Sequence, residues 1–319
     1  MISYFAHNEI NRRKWDECVS SSVNGRIYAY SWYLDIVSDQ WDALILDNYQ
    51  AVFPLPIRRK FGINYIYQPF FLQQLGLFSK AALSPGLLEE FLLKIPAHFK
   101  YIDINLNQHN CLNSFNIKSE SRQNIEMNLF DDYSIIYKGY STNLKRNLKK
   151  AVKAQLTIFE NLKPDAVINL FKSNNKHLSE FKSEDYSRLI QVIYKALQLR
   201  HVEVWGAYSL ENNLCAAAIF MRSHKRVTFL FSGATEFAKE TAALPFLIDA
   251  YIKANSRQEL VFDFEGSNDA NLARFYLGFG AKAISYKRIS WVRTSIILRN
   301  LIASYLRLRN TALAFLIKK

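Results

Sequence analysis

Cysteine is scarce in this chain of 319 residues: there are three, Cys18, Cys111 and Cys215. Their number is odd, their spacing is wide and no CxxC pair occurs. That excludes a disulfide framework or cysteine zinc site and fits a reduced, cytosolic protein. No uncharged apolar run reaches the roughly 18 residues of a membrane-spanning helix. The opening MISYFAHNEINRRKW has polar and charged residues where a signal peptide needs an apolar run. The histidines lack HxxxH or other metal spacing, so no metal is expected. There is no GxSxG nucleophile elbow, and metalloenzyme and hydrolase chemistry fit poorly. Short-period repeats and low-complexity segments are absent too. Acids are missing from two stretches. Residues 270–319 hold ten Lys/Arg and no Asp/Glu, which leaves +3 of the net +13 to the rest of the chain. Residues 133–159 hold Lys138, Lys145, Arg146, Lys149, Lys150 and Lys153, again with no acid. Such clustering favours an anionic partner: a phosphate, a nucleic acid or a membrane surface. The alternative is a solvated basic face with no specific partner.

Half of the residues are apolar and 14% are aromatic, ample for a buried core. The length suggests about two domains at roughly 100–200 residues each. Apolar periodicity predicts strands over 2–6, 101–107 and 124–130 and a hairpin of 41–47 with 51–58. Helices are expected over 11–21, 32–38 and 84–99, the last with Ser84 as N-cap and Pro85 at the first helical position. A long helix is expected near 142–155. The second half reads as a strand at 156–160, helices at 165–176 and 183–199, and a three-strand meander of 202–209, 214–222 and 226–232. A helix from Pro245 to about 254, a strand at 260–264, a helix at 272–277 and a strand at 283–292 complete it. The fold class is therefore α/β (α+β), as two similar halves with mostly antiparallel central sheets flanked by helices.

The 142–155 helix lies at the join. Leu144, Leu148, Ala151, Val152 and Gln155 share one face, and Lys145, Arg146, Lys149, Lys150 and Lys153 the other. Like charges four apart oppose the helix by a few tenths of a kcal/mol each. A bound anion would relieve them, which makes Lys145, Arg146 and Lys149 candidates for substrate binding.

YSTNLKRNLKKA (140–151), VEVWGAY (202–208), AAAIFMRSHKRVTFLFSGAT (216–235) and FDFEGSNDANLARFYLGFGA (262–281) together resemble the FemAB-like branch of the GNAT N-acyltransferase superfamily. The resemblance runs over most of 1–290. It implies a first GNAT-like domain over 1–140, a second over 141–292 that begins with the basic helix, and a basic C-terminal helix over 293–319. It also implies transfer of an acyl or aminoacyl group from acyl-CoA or aminoacyl-tRNA to an amine on a cell-envelope or surface precursor. In the GNAT pattern a glycine loop before a helix cradles the pyrophosphate of CoA. The equivalent stretch here, AKETAALP (238–245), has no glycine. FemAB-like members tend to have Phe-Lys where this chain has Phe275-Tyr276, and the helical arm of some tRNA-using members has no counterpart. On this resemblance Ser232, Thr241, Ala242, Ser267, Asn268 and Phe275 are the donor-binding candidates.

N-acyl transfer needs a base for the attacking amine, a donor for the oxyanion and a proton or hydrogen bond for the leaving group. Asp263 and Glu265 lie two apart, so on a strand they share a face and raise one another's proton affinity, as a general base requires. The alternative is a pair held by backbone N–H groups at the next helix start. In GNAT enzymes an F-Y-x-x-x-G segment often places its tyrosine near the departing thiolate, and Phe275 to Gly280 has that spacing. Tyr276 is thus a candidate proton donor, against a packed helix tyrosine. Tyr30, Trp32, Tyr33, Gln73 and Gln74 are candidates for an acceptor groove suited to a sugar or peptide, against core packing. Over 295–319, Ile297, Leu301, Tyr305, Leu308, Ala312 and Leu316 follow one helical face and Arg299, Arg307 and Lys318 the other. Such a helix suits an anionic membrane, self-docking or a dimer contact. The partners expected are an anionic small-molecule or lipid-linked substrate, with tRNA and a peripheral contact at the inner membrane face as further candidates. A non-enzymatic alternative is a degenerate GNAT-like protein that binds an anionic sugar or lipid-linked ligand.

Overall fold

The computed structural model describes residues 1–60, 62–112, 117–174, 182–265 and 268–293. The expected helix over 295–319 lies outside them, as does Ser267. Among the described residues thirteen strands form one sheet: β1 (Ile2–Phe5), β2 (Gln40–Leu46), β3 (Ala51–Lys60), β4 (Ile63–Ile66), β5 (Phe78–Ser79), β6 (Tyr101–Asn105), β7 (Lys118–Asn128), β8 (Thr157–Phe159), β9 (Val202–Tyr208), β10 (Leu214–Ser223), β11 (Arg226–Ala234), β12 (Val261–Asp263) and β13 (Lys282–Val292). The helices are α1 (Arg12–Ser21), α2 (Ser31–Val37), α3 (Pro85–Lys94), α4 (Tyr133–Lys138), α5 (Thr142–Lys153), α6 (Pro164–Asn174), α7 (Ser183–Gln198), α8 (Glu236–Thr241), α9 (Ala243–Ala254) and α10 (Ala270–Leu277).

Local chemistry sets most boundaries. Asn11, Ser84, Ser141, Thr235 and Asp269 accept backbone N–H bonds as N-caps. The β10–β11 hairpin turns at His224-Lys225, both at positive φ of 53° and 52°, as a two-residue loop matched to strand twist requires. Helix α3 stops at Lys94, short of the expected 99, because Pro96 drives Ile95 into extended backbone (φ −60°, ψ 125°). On α5 Leu144, Leu148 and Ala151 are buried as expected. Val152 is 65% exposed and Gln155 lies past the helix end at φ 52°, so neither belongs to the packed face. Strands β4 and β5 and helices α4 and α8 have no counterpart in the sequence reading, each being too short for its periodicity to register.

The sheet is mostly antiparallel, with β4/β6 and β11/β12 as its parallel pairs. Its order is β1-β2-β3-β4-β6-β13-β7-β12-β11-β10-β9-β8, with β5 added on β3. The sheet does not break at residue 140. The late strand β13 lies between the early strands β6 and β7, and β7 pairs with β12. One core cluster is also shared by the halves: Trp15, Tyr28, Tyr33 and Trp41 join Leu189, Val192, Ile193 and Met221. A second cluster, with Leu148, Leu247, Tyr251, Phe262 and Phe264, lies under α5 and α9. A third packs Phe53, Phe91, Phe99 and Ile104 under α3.

Candidate functional site

Alternation builds the site. In β7 Ile125 and Met127 enter the core under α5 and α9, so Asn124 and Glu126 point to the opposite face. Phe262 and Val227 likewise leave Asp263 and Arg226 on that face. The face is covered, and these polar groups are buried. They satisfy one another. Arg226 Nη1 reaches Glu126 Oε1 at 2.9 Å and Asp263 Oδ2 at 3.1 Å, and its Nη2 donates to Glu126 Oε2 at 3.1 Å. Asn124 Nδ2 donates to Asp263 Oδ1 at 2.8 Å and Glu126 Oε1 at 3.0 Å. Its Oδ1 accepts from Gln73 Nε2 at 3.2 Å, and Gln74 Nε2 donates to Gln73 Oε1 at 2.8 Å. Burial, then Asp263, raises the Glu126 carboxyl above its ordinary range.

Strands β11 and β12 pair over three residues, from Arg226↔Val261 to Thr228↔Asp263. Beyond that point they part. Strand β11 runs on to Ala234, while the Phe264 N–H turns to the Ile125 carbonyl of β7 at 2.9 Å. The β12-facing edge of β11 from Phe229 onward therefore has no strand partner among the described residues. Glu265 sits where the strands part. Its φ is 54°, so β12 ends before it and it does not share a strand face with Asp263, as the spacing had suggested. Its Oε1 is out of solvent reach. Burial pushes its pKa up to about 8, with Arg26 pulling the other way. Tyr276, from α10, lies 4.8 Å from Phe264 in a stacked arrangement and 6.2 Å from Phe229 edge-on. Burial, then Glu265, holds the Tyr276 phenol above its usual range. Tyr286 of β13 is buried as well. Burial raises its pKa, with a bond to Asn268 and the charge of Arg122 opposing and Glu265 and Asp263 adding.

Glu265, Asp263, Tyr276, Asn268, Gln73 and Gln74 are thus brought to one region. Asn268 Oδ1 also accepts from the Gln123 N–H at 3.2 Å. Phe275 packs on Phe279 and Tyr276. Ser232 is half-buried on the open part of β11. Thr241 and Ala242 lie at the α8–α9 junction. The Thr241 hydroxyl donates to the Phe237 carbonyl at 2.7 Å, and Ala242 takes φ 59° where glycine would be the ordinary choice. Tyr30 lies elsewhere, stacked 6.1 Å from His201 and tilted 5.7 Å from His224, and Trp32 packs beside Tyr33. On α5, Lys145 Nζ donates to the Lys138 carbonyl at 3.0 Å and sits 5.4 Å from the Tyr137 ring, while Arg146 and Lys149 are exposed. Arg26, Arg226, Glu126, Asn124 and Tyr286 escaped the sequence reading. The only signal was polar alternation, which gives the face but not whether another segment covers it. Among the described residues no cluster of His, Cys, Asp and Glu has metal-binding geometry, and no helix is long and apolar enough to cross a membrane.

No family model matches this chain, and no curated protein matches it in sequence. Solved structures do match it in shape. FemX superposes with a TM-score of 0.65 at 10% identity, over 94% of this chain and 99% of that one. L-PGS from Bacillus licheniformis gives 0.55 at 10%, over 93% and 96%. The C-terminal domain of an Agrobacterium fabrum protein assigned as a lysylphosphatidylglycerol synthetase gives 0.56 at 11%, over 92% and 96%. At such identities the likeness shows the fold alone: the α/β fold of FemX, with a mostly antiparallel sheet flanked by helices.

Proposed function

We propose that the chain is an N-acyltransferase that moves an acyl or aminoacyl group from acyl-CoA or aminoacyl-tRNA to an amine on a cell-envelope or surface precursor. The observation that carries this reading is the placement of Glu265, a buried carboxyl at the point where β11 and β12 part, where burial pushes its pKa up to about 8. A base is most effective when its pKa lies near the working pH. In this mechanism Glu265 takes the proton of the attacking amine as nitrogen bonds to the acyl carbon. Tyr276 donates to the departing sulfur or ribose oxygen as the bond to the carrier breaks. Asp263 is committed to Arg226, Asn124 and the Glu265 N–H, and we give it a positioning role in place of base catalysis. The unpaired edge of β11 would accept amide groups of a donor arm as an added strand does. Ser232, Asn268 and Phe275 flank this route, and Lys145, Arg146 and Lys149 would hold phosphates of the donor or acceptor.

The α8–α9 junction favours a second reading, a ligand-binding protein without turnover. It lacks glycine, and Pro245 removes one of the first-turn N–H groups that would cradle a pyrophosphate. A thermal-shift panel with acetyl-CoA, longer acyl-CoAs, tRNA and nucleotide sugars separates the two readings. A donor at about 100 times its Kd should stabilise the fold by about 2.7 kcal/mol. Stabilisation by nucleotide sugars alone, with no shift from any acyl-CoA or tRNA, would leave the binding protein.

A further inference from the structure

Four strands finish at one end of the sheet, and cations gather there. Lys60 at the end of β3 pairs with Ile63 at the start of β4, Tyr65 with Tyr101 at the start of β6, and Tyr101 with Val292 at the end of β13. Backbone bonds tie these ends together. Arg59 lies opposite Asn64, the Asn64 carbonyl accepts from the Lys100 N–H at 3.2 Å, and the Lys100 carbonyl accepts from the Arg293 N–H at 2.9 Å. Arg293 Nη1 donates to the Ile95 carbonyl at 2.7 Å, next to Lys94 at the end of α3. Arg59, Lys94 and Lys100 are therefore neighbours on one rim, and all three are exposed.

Nothing in the fold neutralises them. Among the described residues Arg59, Lys94 and Lys100 have no ion-pair partner. Asp103 of β6 and Glu120 of β7 are taken by Arg288 and Arg122. Like charges left together in this way set up a positive potential that draws an anionic surface. Two observations say which surface. Leu93, beside Lys94, is 62% exposed, an apolar group set among the cations. The chain also leaves the rim at Arg293, and the sequence beyond it, 294–319, holds fifteen apolar residues, five Lys/Arg and no Asp/Glu. Apolar and basic groups together suit the headgroup boundary of an anionic bilayer, whereas a nucleic-acid backbone uses the charges alone.

We propose that the rim of Arg59, Lys94 and Lys100 is a docking surface for an anionic membrane, with Leu93 at the headgroup boundary. The surface stands whether or not the chain is an acyltransferase. The test is co-sedimentation of the full chain with vesicles of phosphatidylglycerol and phosphatidylcholine in equal parts, against phosphatidylcholine alone. Binding to the mixed vesicles is expected to be the stronger. Changing Arg59, Lys94 and Lys100 together to Gln should weaken it by about fivefold per residue, on the order of a hundredfold in all. The control makes the same charge change at the opposite end of β3, where Lys14 bonds Asn48 and Lys80 bonds the Gln50 carbonyl. Arg13, Lys14 and Lys80 together changed to Gln should bind mixed vesicles as the wild type does. No preference for the mixed vesicles in the wild type, or equal losses in the two triple variants, overturns the surface. Wild-type vesicle binding by the rim variant overturns it too, and a loss of tRNA binding in that same variant would make the rim a nucleic-acid surface. If the rim variant fails to fold, Lys100→Gln decides: about fivefold weaker binding supports the surface, and unchanged binding overturns it.

Discussion

The backbone N–H of Glu265 donates to Asp263 Oδ1 at 3.1 Å, and Glu265 itself holds φ of 54°. A left-handed backbone is uncommon without glycine, and the short bond back to an aspartate is one way to secure it. Asp263 is fixed in turn by Arg226 and Asn124. One carboxylate, anchored by an arginine, therefore aims its neighbour, whose own carboxyl is starved of water.

Stability should depend on pH through Glu265. Folding raises its pKa from an ordinary 4.5 to about 8, so within that window the folded state holds a proton that the unfolded chain has released. Stability then falls as pH rises, with a limiting slope of about 1.4 kcal/mol per pH unit. Urea midpoints of Glu265→Gln should be flatter than wild type between about pH 5 and 8. Parallel profiles would return Glu265 to an ordinary carboxylate.

Tyr276→Phe removes a hydroxyl and keeps the stack on Phe264. The expected result is a fall in kcat of about a hundredfold, with donor KM nearly unchanged. Turnover at the wild-type rate would take the phenol out of the mechanism.

Arg226→Met strands Asp263 and Glu126 without their cation. Breaking a buried pair in this way destabilises by about 3–5 kcal/mol. Lys225→Met, one residue away in an exposed pair with Glu259, should stay near wild type in the same denaturant titration.

Replacing Lys145, Arg146 and Lys149 with glutamine should leave the fold intact, since the packed face of α5 is Leu144, Leu148 and Ala151. Binding of tRNA or acyl-CoA should weaken and lose part of its salt dependence. Equal binding at low salt would make this a solvated face.

Long, strongly patterned elements were legible in the sequence. The α5 helix and the β9–β11 meander announce themselves through periodicity and turn residues. What was hidden depends on covering. Asn124 and Glu126 alternate with Ile125 and Met127 like any half-exposed strand, and only the packing of the first half over that face makes them interior groups. The left-handed Glu265 was hidden for a related reason: two acids spaced by one residue look like strand neighbours until a tertiary bond bends the chain between them.

Strand β13 also governs the order in which the molecule can be assembled. Strands β6 and β7 emerge from the ribosome early, yet each must wait for 282–292 to fill the gap between them. Until then both carry open edges, the kind of surface that invites wrong pairing. Completion is therefore expected after translation of this strand, through contacts distant in sequence and slow to form. Ribosome-bound chains with only 1–281 emerged should remain protease-sensitive, and chains with 1–293 emerged should become resistant. Resistance in the shorter chain would mean that the two edges close without it.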